Sequence, residues 1–285
     1  MKTEFNDLRR RAADIRIRTI RCLEKFGSGH VGGSMSIADV LAVLYGRVLR
    51  YKADDPNWED RDRLVMSKGH CGPAQYSALA LSGFFPEDWL DTLNQGGTRL
   101  PSHCDRNKTP GIDATTGSLG QGVSVACGIA QGAALKNKSC LTYVILGDGE
   151  LQEGQVWEAV QFAVSRKLDR LIMLVDANGK QLDGPTIDKE INLAGKFESF
   201  GCEVYTVNGQ DVAAMTLLLE RIRDGGGNGK PVVVIMETVK GCGCIFAEEK
   251  EMNHHLPVSA QDASRAIDEI ERRLAAGLLP GGEKA

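Results

Sequence analysis

Two glycine-flanked polar motifs stand where hydrophobic segments of the chain end. Gly147-Asp148-Gly149 follows the apolar run LTYVIL, and Asp176-Ala177-Asn178-Gly179 follows the apolar run LIMLV further along the chain. Either motif alone is typical of an ordinary turn, because Asp-Gly and Asn-Gly dipeptides favour turns. Together they place an Asp and an Asn at the carboxyl ends of two successive strands, where α/β sheets bind ligands.

The chemistry that suits this pair is magnesium binding next to a diphosphate. Mg²⁺ takes oxygen ligands and combines one or two protein groups with phosphate oxygens and water. We predict the Asp148 carboxylate, the Asn178 side-chain oxygen and the Lys180 carbonyl as its protein ligands. The following helix is expected to begin near Glu150 and to direct its amino terminus at the anion.

The histidines are a second set of candidate site residues. The chain has five histidines, at His30, His70, His103, His254 and His255. The first three lie in glycine-rich segments typical of loops. Imidazole donates to phosphate or hydroxyl oxygens and transfers protons near neutral pH.

Alternating strands and helices are needed to position these residues. The segments RLVMS, LTYVIL, LIMLV, CEVYTVNG and PVVVIMETVKG are predicted to be strands. Helices are predicted at 6–26, 37–49, 74–82, up to 136, after GDG, at 212–223 and at about 260–276. This order predicts an α/β fold, a doubly wound and mainly parallel sheet covered on both faces. Residues 1–285 are expected to form one domain, with an irregular end at LLPGGEKA.

Composition excludes several classes of protein. A net charge of −4 and the lack of a basic stripe argue against nucleic-acid binding. No apolar run approaches the length needed to span a membrane, and the amino terminus lacks the apolar core of a secretory signal. The eight cysteines include no C-x-x-C pair, so they are expected to be reduced and mostly buried in a cytoplasmic protein.

The motifs together resemble those of the transketolase family. GDGELQEGQVWEA followed by LIMLVDANGKQLDG is similar to the family's thiamine diphosphate motif. SGHVGGSMSIAD, DRLVMSKGH and ATTGSLGQG are similar to three further family segments in order and spacing. The likeness runs from about residue 10 to residue 260. It implies a domain that binds thiamine diphosphate with Mg²⁺, or with another divalent cation such as Ca²⁺ or Mn²⁺.

The resemblance also implies the residues that hold the cofactor. They are His70, Gly117, Ser118, Leu119, Asp148, Gly149, Glu150, Asn178, Leu182 and His254. Main-chain atoms of residues 117–119 would hold the cofactor, and Leu182 would pack against its rings. Ser118 stands where complete transketolases generally carry proline.

Catalytic roles follow from the same likeness. His30 and His103 would line the substrate channel, and a later histidine would contact both diphosphate and substrate. His254 is preferred over His255 for that role, although the family's His-Gly pair is His-His here. Glu153 would join a proton relay at a subunit interface; a solvated acid in a first helical turn is the alternative.

The resemblance implies that a second polypeptide completes the active site. In the family, a glutamate of the following, pyrimidine-binding domain activates the cofactor, and this sequence ends at residue 285 without a motif for it. We therefore expect a partner that carries the pyrimidine-binding and C-terminal domains, in an α2β2 assembly acting on sugar phosphates. The sequence does not identify the donor and acceptor sugars.

Two other functions remain open at this point. The α subunit of a thiamine-dependent 2-oxo-acid dehydrogenase or decarboxylase shares the GDG-to-Asn motif, but it lacks the SGH, S-x-GH and GSLGQG segments. A non-catalytic cofactor-binding homologue is the other alternative. The leading prediction is that this chain is a transketolase N-terminal subunit, which would make it part of a transferase of two-carbon ketol units.

Overall fold

A five-stranded parallel sheet lies at the centre of the computed structural model, which describes residues 5–187, 192–225, 228–278 and 280. Its strands are β2 (Arg63–Met66), β3 (Thr142–Gly147), β4 (Leu171–Ala177), β5 (Glu203–Asn208) and β6 (Val232–Glu237). Their spatial order is β2-β3-β4-β6-β5, and every pairing is parallel. The predicted α/β class with a parallel sheet is confirmed.

Ten α-helices occur among the described residues. They are α1 (Asn6–Phe26), α2 (Val31–Ser36), α3 (Ala38–Val43), α4 (Gly72–Leu81), α5 (Gln121–Leu135), α6 (Gly154–Ser165), α7 (Leu193–Phe200), α8 (Val212–Gly225), α9 (Ile245–Glu248) and α10 (Ala260–Ala275). The long first helix ends at Gly27, whose left-handed φ of 96° suits glycine.

Helices cover both faces of the sheet, because successive side chains of a strand point to opposite sides. On β3, Tyr143 and Ile145 belong to the core packed under α1, α3 and α4. Val144 and Leu146 belong to a second core, packed under α5, α6 and α7. All four side chains are fully buried. The predicted doubly wound arrangement is confirmed.

The register of β3 against β4 positions the two glycine-flanked motifs. Gly147 pairs with Asp176 in the parallel ladder, and the Asp148 N–H donates to the Asp176 carbonyl at 3.2 Å. Asp148 and Asn178 therefore leave the sheet at the same edge, from neighbouring strands, as the sequence predicted.

The predicted helix over residues 37–49 is present, although its last turn is π-helical. The structure has α2 and α3, separated at Ile37, and a π-helical turn at Leu44–Val48. Helix α2 lies within the glycine-rich segment that was expected to be a loop. Glycine permits this close packing, since a Cβ at Gly32 would lie 2.5 Å from the Asn253 carbonyl oxygen.

The helix expected to begin near Glu150 begins later. A 3-10 turn at Gly149–Gln152 comes first, and α6 begins only at Gly154. The turn forms because the Asp148 side chain caps it, accepting from the Gly149 N–H. The N–H groups nearest the loop after β3 therefore belong to this short turn rather than to α6.

A small antiparallel ladder was not predicted from the sequence. Strand β1 (Ser28–Gly29) pairs with β7 (Leu256–Pro257), and two-residue strands carry too little pattern to be recognised. The ladder ends next to His30 on one strand and follows His255 on the other. It therefore brings residues from opposite ends of the sequence together.

Three predictions about the rest of the chain have different outcomes. All eight cysteines are free and buried, as expected. No helix of the described residues is long and apolar enough to cross a membrane. Helix α10 occupies the predicted range, whereas most of the LLPGGEKA segment lies outside the described residues. One domain over residues 1–285 stays a prediction.

Candidate cofactor site

A cleft of about 420 Å³ opens at the carboxyl ends of β2, β3, β4 and β6. This volume is within the usual range for a small-molecule site. Thirteen predicted site residues line it: His30, His70, His103, Gly117, Leu119, Asp148, Gly149, Glu150, Glu153, Asn178, Lys180, Leu182 and His254. Ser118 is the predicted residue that does not. The sequence prediction therefore converges on one place in the fold.

Asp148, Asn178 and Lys180 form one side of the cleft, which we call the loop wall. The Asp148 Oδ1 accepts from the Gly149 N–H at 2.9 Å, and its Oδ2 accepts from the Gly179 N–H at 2.5 Å. Its carboxylate thus ties the loop after β3 to the loop after β4. Burial, together with the negative charge of Asp176, raises the pKa of Asp148 to about 6.

The Asn178 amide is held at both ends. Its Nδ2 donates to the Asp176 Oδ2 at 2.8 Å, and its Oδ1 accepts from the Lys180 N–H at 3.0 Å. A carbonyl-type oxygen has two lone pairs, so Oδ1 keeps one for a further partner. The amide oxygen is thereby directed away from Asp176.

The Lys180 carbonyl faces a second lysine. Lys240 Nζ lies 3.2 Å from that carbonyl oxygen, 2.9 Å from the Gln181 carbonyl oxygen and 3.2 Å from His254 Nδ1. Burial, and then the positive charge of Lys68, lowers the pKa of Lys240 to about 8. A cationic donor from the segment after β6 therefore contacts the loop that was predicted to bind metal.

The loop wall fits a divalent cation bound jointly with a diphosphate. It offers one carboxylate, one amide and one carbonyl, and the described residues hold no cluster of three His, Cys, Asp or Glu for a metal. The ammonium groups of Lys68 and Lys240 line the same cleft, so an anion suits the remaining coordination positions. Gly149 keeps the space open, because a Cβ there would lie 3.0 Å from the Gln181 Cβ.

Four histidines form the opposite side, which we call the histidine wall: His30, His70, His103 and His254. The ring centroid of His30 lies 5.2 Å from His70, 5.5 Å from His103 and 5.2 Å from His254. The rings of His70 and His254 are 4.8 Å apart. One imidazole, that of His30, therefore contacts the other three.

The histidine wall is uncharged at neutral pH. Burial, then the neighbouring imidazoles, lowers the pKa of His30 to about 4. Burial, then Lys240, lowers the pKa of His254 to about 3. Burial also lowers the pKa of His70, with Lys68 adding to it, and that of His103. Each neutral ring has one N–H donor and one acceptor nitrogen.

His254 and His255 have different surroundings in the structure. His254 lines the cleft and its Nδ1 approaches Lys240, as described above. The His255 ring lies 4.9 Å from His30, but its side chain is exposed and does not line the cleft. The geometry therefore favours His254 for a contact inside the cleft.

Residues 117–119 and Leu182 lie at the mouth of the cleft. A Cβ at Gly117 would lie 3.1 Å from the His103 ring, so glycine allows the main chain to pass close to the histidine wall. The Ser118 side chain is exposed and only its neighbours line the cleft. Leu119 is 37% exposed and Leu182 is 65% exposed, so apolar surface remains open here.

The two acidic residues after Asp148 differ in their surroundings. Glu150 is buried, and its carboxylate accepts from the Ser67 hydroxyl at 2.5 Å, the Gly120 N–H at 2.9 Å and the Gly147 N–H at 3.1 Å. These three hydrogen bonds occupy most of the acceptor positions of the Glu150 carboxylate. Glu153 is exposed at the start of α6 and its carboxylate has no hydrogen bond among the described residues.

Sequence reasoning missed several residues of the cleft. They are Gly33, Lys68, Gln152, Gln181, Asp183 and Lys240. Lys240 follows the strand segment PVVVIME, so the strand-end rule that identified Asp148 could have found it. Lys68 lies inside the recognised segment DRLVMSKGH, but nothing in that pattern shows that its side chain is buried.

Comparison with known proteins gives one consistent family. The family profile described as "Transketolase, thiamine diphosphate binding domain" matches residues 8–271. The chain is 45% identical over 276 residues to the 6-deoxy-6-sulfo-D-fructose transketolase subunit SqwG of Clostridium sp. (strain MSTE9), covering 95% of this chain and 99% of that relative. It is 40% identical over 245 residues to one subunit of the apulose-4-phosphate transketolase of Actinobacillus succinogenes, covering 85% of this chain and 88% of that relative.

Solved structures give the same grouping. The transketolase from Leishmania mexicana superposes with a TM-score of 0.83 and 32% identity, over 97% of this chain and 42% of that chain. The transketolase from Campylobacter jejuni superposes with a TM-score of 0.83 and 31% identity, over 96% of this chain and 43% of that chain. The chain therefore spans about two fifths of the length of these solved proteins.

Proposed function

This chain belongs to the transketolase family as a thiamine diphosphate-binding domain, and on that premise we propose that it is the cofactor-binding subunit of a two-chain transketolase. The proposed reaction transfers a two-carbon ketol unit from a ketose to an aldose. Relatives named as transketolase subunits support this assignment, because the matches extend over 99%, 88% and 92% of their own lengths.

The observation that carries the proposal is that the loop wall and the histidine wall face each other across one cleft. Asp148 and Asn178 leave neighbouring parallel strands at one edge of the sheet. Across the same cleft lie four neutral histidines, and two lysines supply positive charge. Oxygen ligands for a cation, positive charge for a diphosphate and proton-transferring groups for a sugar are thus within one cavity.

We propose that Asp148, Asn178 and the Lys180 carbonyl hold Mg²⁺, or Ca²⁺ or Mn²⁺ in its place. Lys240 and His70 would donate to the diphosphate, with His254 beside them. The main chain of Gly117, Ser118, Leu119, Gly149 and Glu150 would complete the cradle, and Leu182 would cover the cofactor rings. Lys240 would move from its present carbonyl partners to the anion, a better acceptor for an ammonium group.

The substrate chemistry of this chain is assigned to its histidines. Thiamine diphosphate, when bound, supplies the carbon nucleophile and the electron sink that ketol transfer requires. His30, His103 and His254 would accept and return protons at the sugar hydroxyls, which a neutral imidazole can do from opposite nitrogens. Because the cations Lys68 and Lys240 lie on the diphosphate side, the histidines there stay neutral and available.

The substrate is proposed to be a sugar with an anionic terminus. Relatives are named for a sulfonated ketose and for a phosphorylated pentose derivative, so phosphate and sulfonate sugars are both candidates for the donor. Sugar phosphates remain the substrates expected from the sequence. The present cleft recognises the ketol end, and the distal anion would be bound largely by the partner.

The partner is proposed to be a C-terminal transketolase subunit in an α2β2 assembly. It would supply the pyrimidine-binding domain and the activating glutamate. The exposed carboxylate of Glu153 and the exposed apolar side chains Leu119 and Leu182 at the mouth of the cleft are compatible with burial under such a partner. Glu153 would then join the relay between active sites.

We place the assembly in the cytoplasm. Eight free and buried thiols support this location, since disulfides are rare in reducing compartments.

The decisive experiment combines the chain with a C-terminal transketolase subunit from the same genome. We expect calorimetric binding of thiamine diphosphate with Mg²⁺, and ketol transfer from fructose 6-phosphate or 6-deoxy-6-sulfofructose only when both chains are present. Strong ketol transfer by the isolated chain would contradict the two-chain assignment. Decarboxylation of 2-oxo acids in place of ketol transfer would support the dehydrogenase alternative, and no cofactor binding at all would support a non-catalytic homologue.

A further inference from the structure

Asp176 is a buried carboxylate that collects four donors at the base of the cleft. Its side chain is fully buried. It accepts from Ser36 Oγ at 2.7 Å, from Lys68 Nζ at 2.5 Å, from Asn178 Nδ2 at 2.8 Å and from the Thr238 hydroxyl. These donors come from α2 and from the loops after β2, β4 and β6. Asp176 therefore joins four segments of the site but does not line the cleft itself.

The charge of Asp176 decides which end of the Asn178 amide faces outward. An ionised carboxylate only accepts hydrogen bonds, whereas an amide has a donor end and an acceptor end. If the Asn178 amide were rotated by half a turn, its oxygen would face the Asp176 oxygen and the Lys180 N–H would lose its acceptor. Both changes are unfavourable, so Oδ1 is directed toward the position proposed for the cation.

Lys68 makes this arrangement compatible with a cation site. A bare carboxylate two residues from a metal ligand would be an alternative ligand, and burial alone would favour its protonation. The Lys68 ammonium, which also donates to the Gly33 carbonyl at 3.0 Å, is as buried as its partner. The contact pairs the buried carboxylate with a cation and occupies one of its oxygens.

We propose that Asp176 is a positioning residue that fixes the Asn178 amide with its oxygen toward the metal, and that Lys68 is the counter-ion that pairs with Asp176 and occupies its carboxylate. The proposal rests on the proposed function, because the metal is part of that function. It assigns no direct contact with substrate or cofactor to either residue.

The test measures Mn²⁺ affinity by electron paramagnetic resonance, with the full-length chain and saturating thiamine diphosphate. The variant is Lys68→Met with Asp176→Asn, which removes both charges without leaving one unpaired. An amide at position 176 both donates and accepts, so it no longer dictates the orientation of Asn178. We expect the dissociation constant for Mn²⁺ to rise by about tenfold, as for other groups that orient metal ligands.

A second ion pair gives a matched control. Arg16 and Asp39 are equally buried, with 2% and 1% of their side chains exposed, but neither lines the cleft. The variant Arg16→Met with Asp39→Asn should change the unfolding temperature and leave Mn²⁺ affinity as in the wild type. An equal loss of Mn²⁺ affinity in both double variants would mean that general destabilisation is the cause, and would overturn the proposal.

Rescue distinguishes orientation from every other effect. Asn178→Asp added to the Lys68→Met, Asp176→Asn background places a carboxylate where the amide was, and either of its oxygens can face the metal. We expect this third change to restore Mn²⁺ affinity. No restoration, or unchanged Mn²⁺ affinity in the double variant, would overturn the proposal. Failure of the wild type to bind Mn²⁺ would instead contradict the proposed function.

If the double variant does not fold, a milder pair decides the same question. Ser36→Ala with Thr238→Val removes two donors from Asp176 and leaves the ion pair in place. A rise in the Mn²⁺ dissociation constant supports the positioning role, and an unchanged value overturns it.

Discussion

The two walls of the cleft are organised in different ways. The Asp148 and Asn178 side chains of the loop wall are already held by hydrogen bonds with neighbouring main-chain or side-chain groups. In the histidine wall the rings pack at centroid distances of 4.8–5.5 Å, and the described hydrogen bonds include only the His254–Lys240 contact for their nitrogens. The loop wall is therefore prepared for a fixed ligand, whereas the histidine wall keeps its donors and acceptors for a changing one.

The largest expected effect is on the loop wall. Asp148→Asn should weaken binding of Mg²⁺ with thiamine diphosphate by about a thousandfold, or about 4 kcal/mol, because a charged partner is lost from a buried site. Calorimetry of cofactor binding measures it. Asp183→Asn is the control, since Asp183 lines the same cleft but is exposed. Equal affinity of the Asp148→Asn variant and the wild type would remove Asp148 from the ligand set.

The next effect separates the two walls. His30→Ala should lower kcat for ketol transfer by about a hundredfold, as expected for loss of a general acid–base group, without changing cofactor affinity. Steady-state kinetics of the reconstituted enzyme and calorimetry measure the two quantities. His255→Ala, with an exposed ring 4.9 Å from His30, should leave both unchanged. A parallel loss of cofactor affinity in His30→Ala would show that His30, like His70, also holds the cofactor.

The pH dependence of metal binding should follow the loop wall alone. Burial raises the pKa of Asp148 to about 6, so a proton competes with the cation below that pH. Mn²⁺ affinity measured without thiamine diphosphate should fall by about fivefold as the pH decreases from 6 to 5. His30, with a pKa of about 4, stays neutral in this range. An affinity that is constant between pH 7 and pH 5 would contradict the raised pKa.

The smallest effect concerns the buried carboxylate of Glu150, which accepts three hydrogen bonds beside the cleft. Glu150→Gln should lower the free energy of unfolding by about 1 kcal/mol, because an amide cannot accept from Ser67, Gly120 and Gly147 together. Chemical denaturation of the chain without ligands measures it. Glu158→Gln on the exposed side of α6 should have no effect. If both variants are equally stable, the hydrogen bonds of the Glu150 carboxylate do not stabilise the fold.

The proximity of the loop-wall residues could be predicted from the sequence, but the hydrogen bonds that hold them could not. Strand ends are marked by hydrophobic runs, and parallel strands end at one edge of the sheet, so the proximity of Asp148 and Asn178 was predictable. The roles of Asp176 and Lys68 were not, because 108 positions separate these residues and their hydrogen bond is a property of packing. The convergence of His30 and His254 depends on the unpredicted ladder of β1 with β7. The short helix α2 was missed because glycine lowers helix propensity, and tertiary packing overrode it.

The ladder between β1 and β7 also has a consequence for biosynthesis. Ser28 and Gly29 leave the ribosome early, whereas Leu256 and Pro257, which pair with them, are made near the end of the described chain. At about 5–20 residues per second, tens of seconds separate the two events. The nascent chain can form its parallel strands during that interval but cannot close the histidine wall. Completion of the histidine wall is thereby postponed until translation of this segment is almost finished.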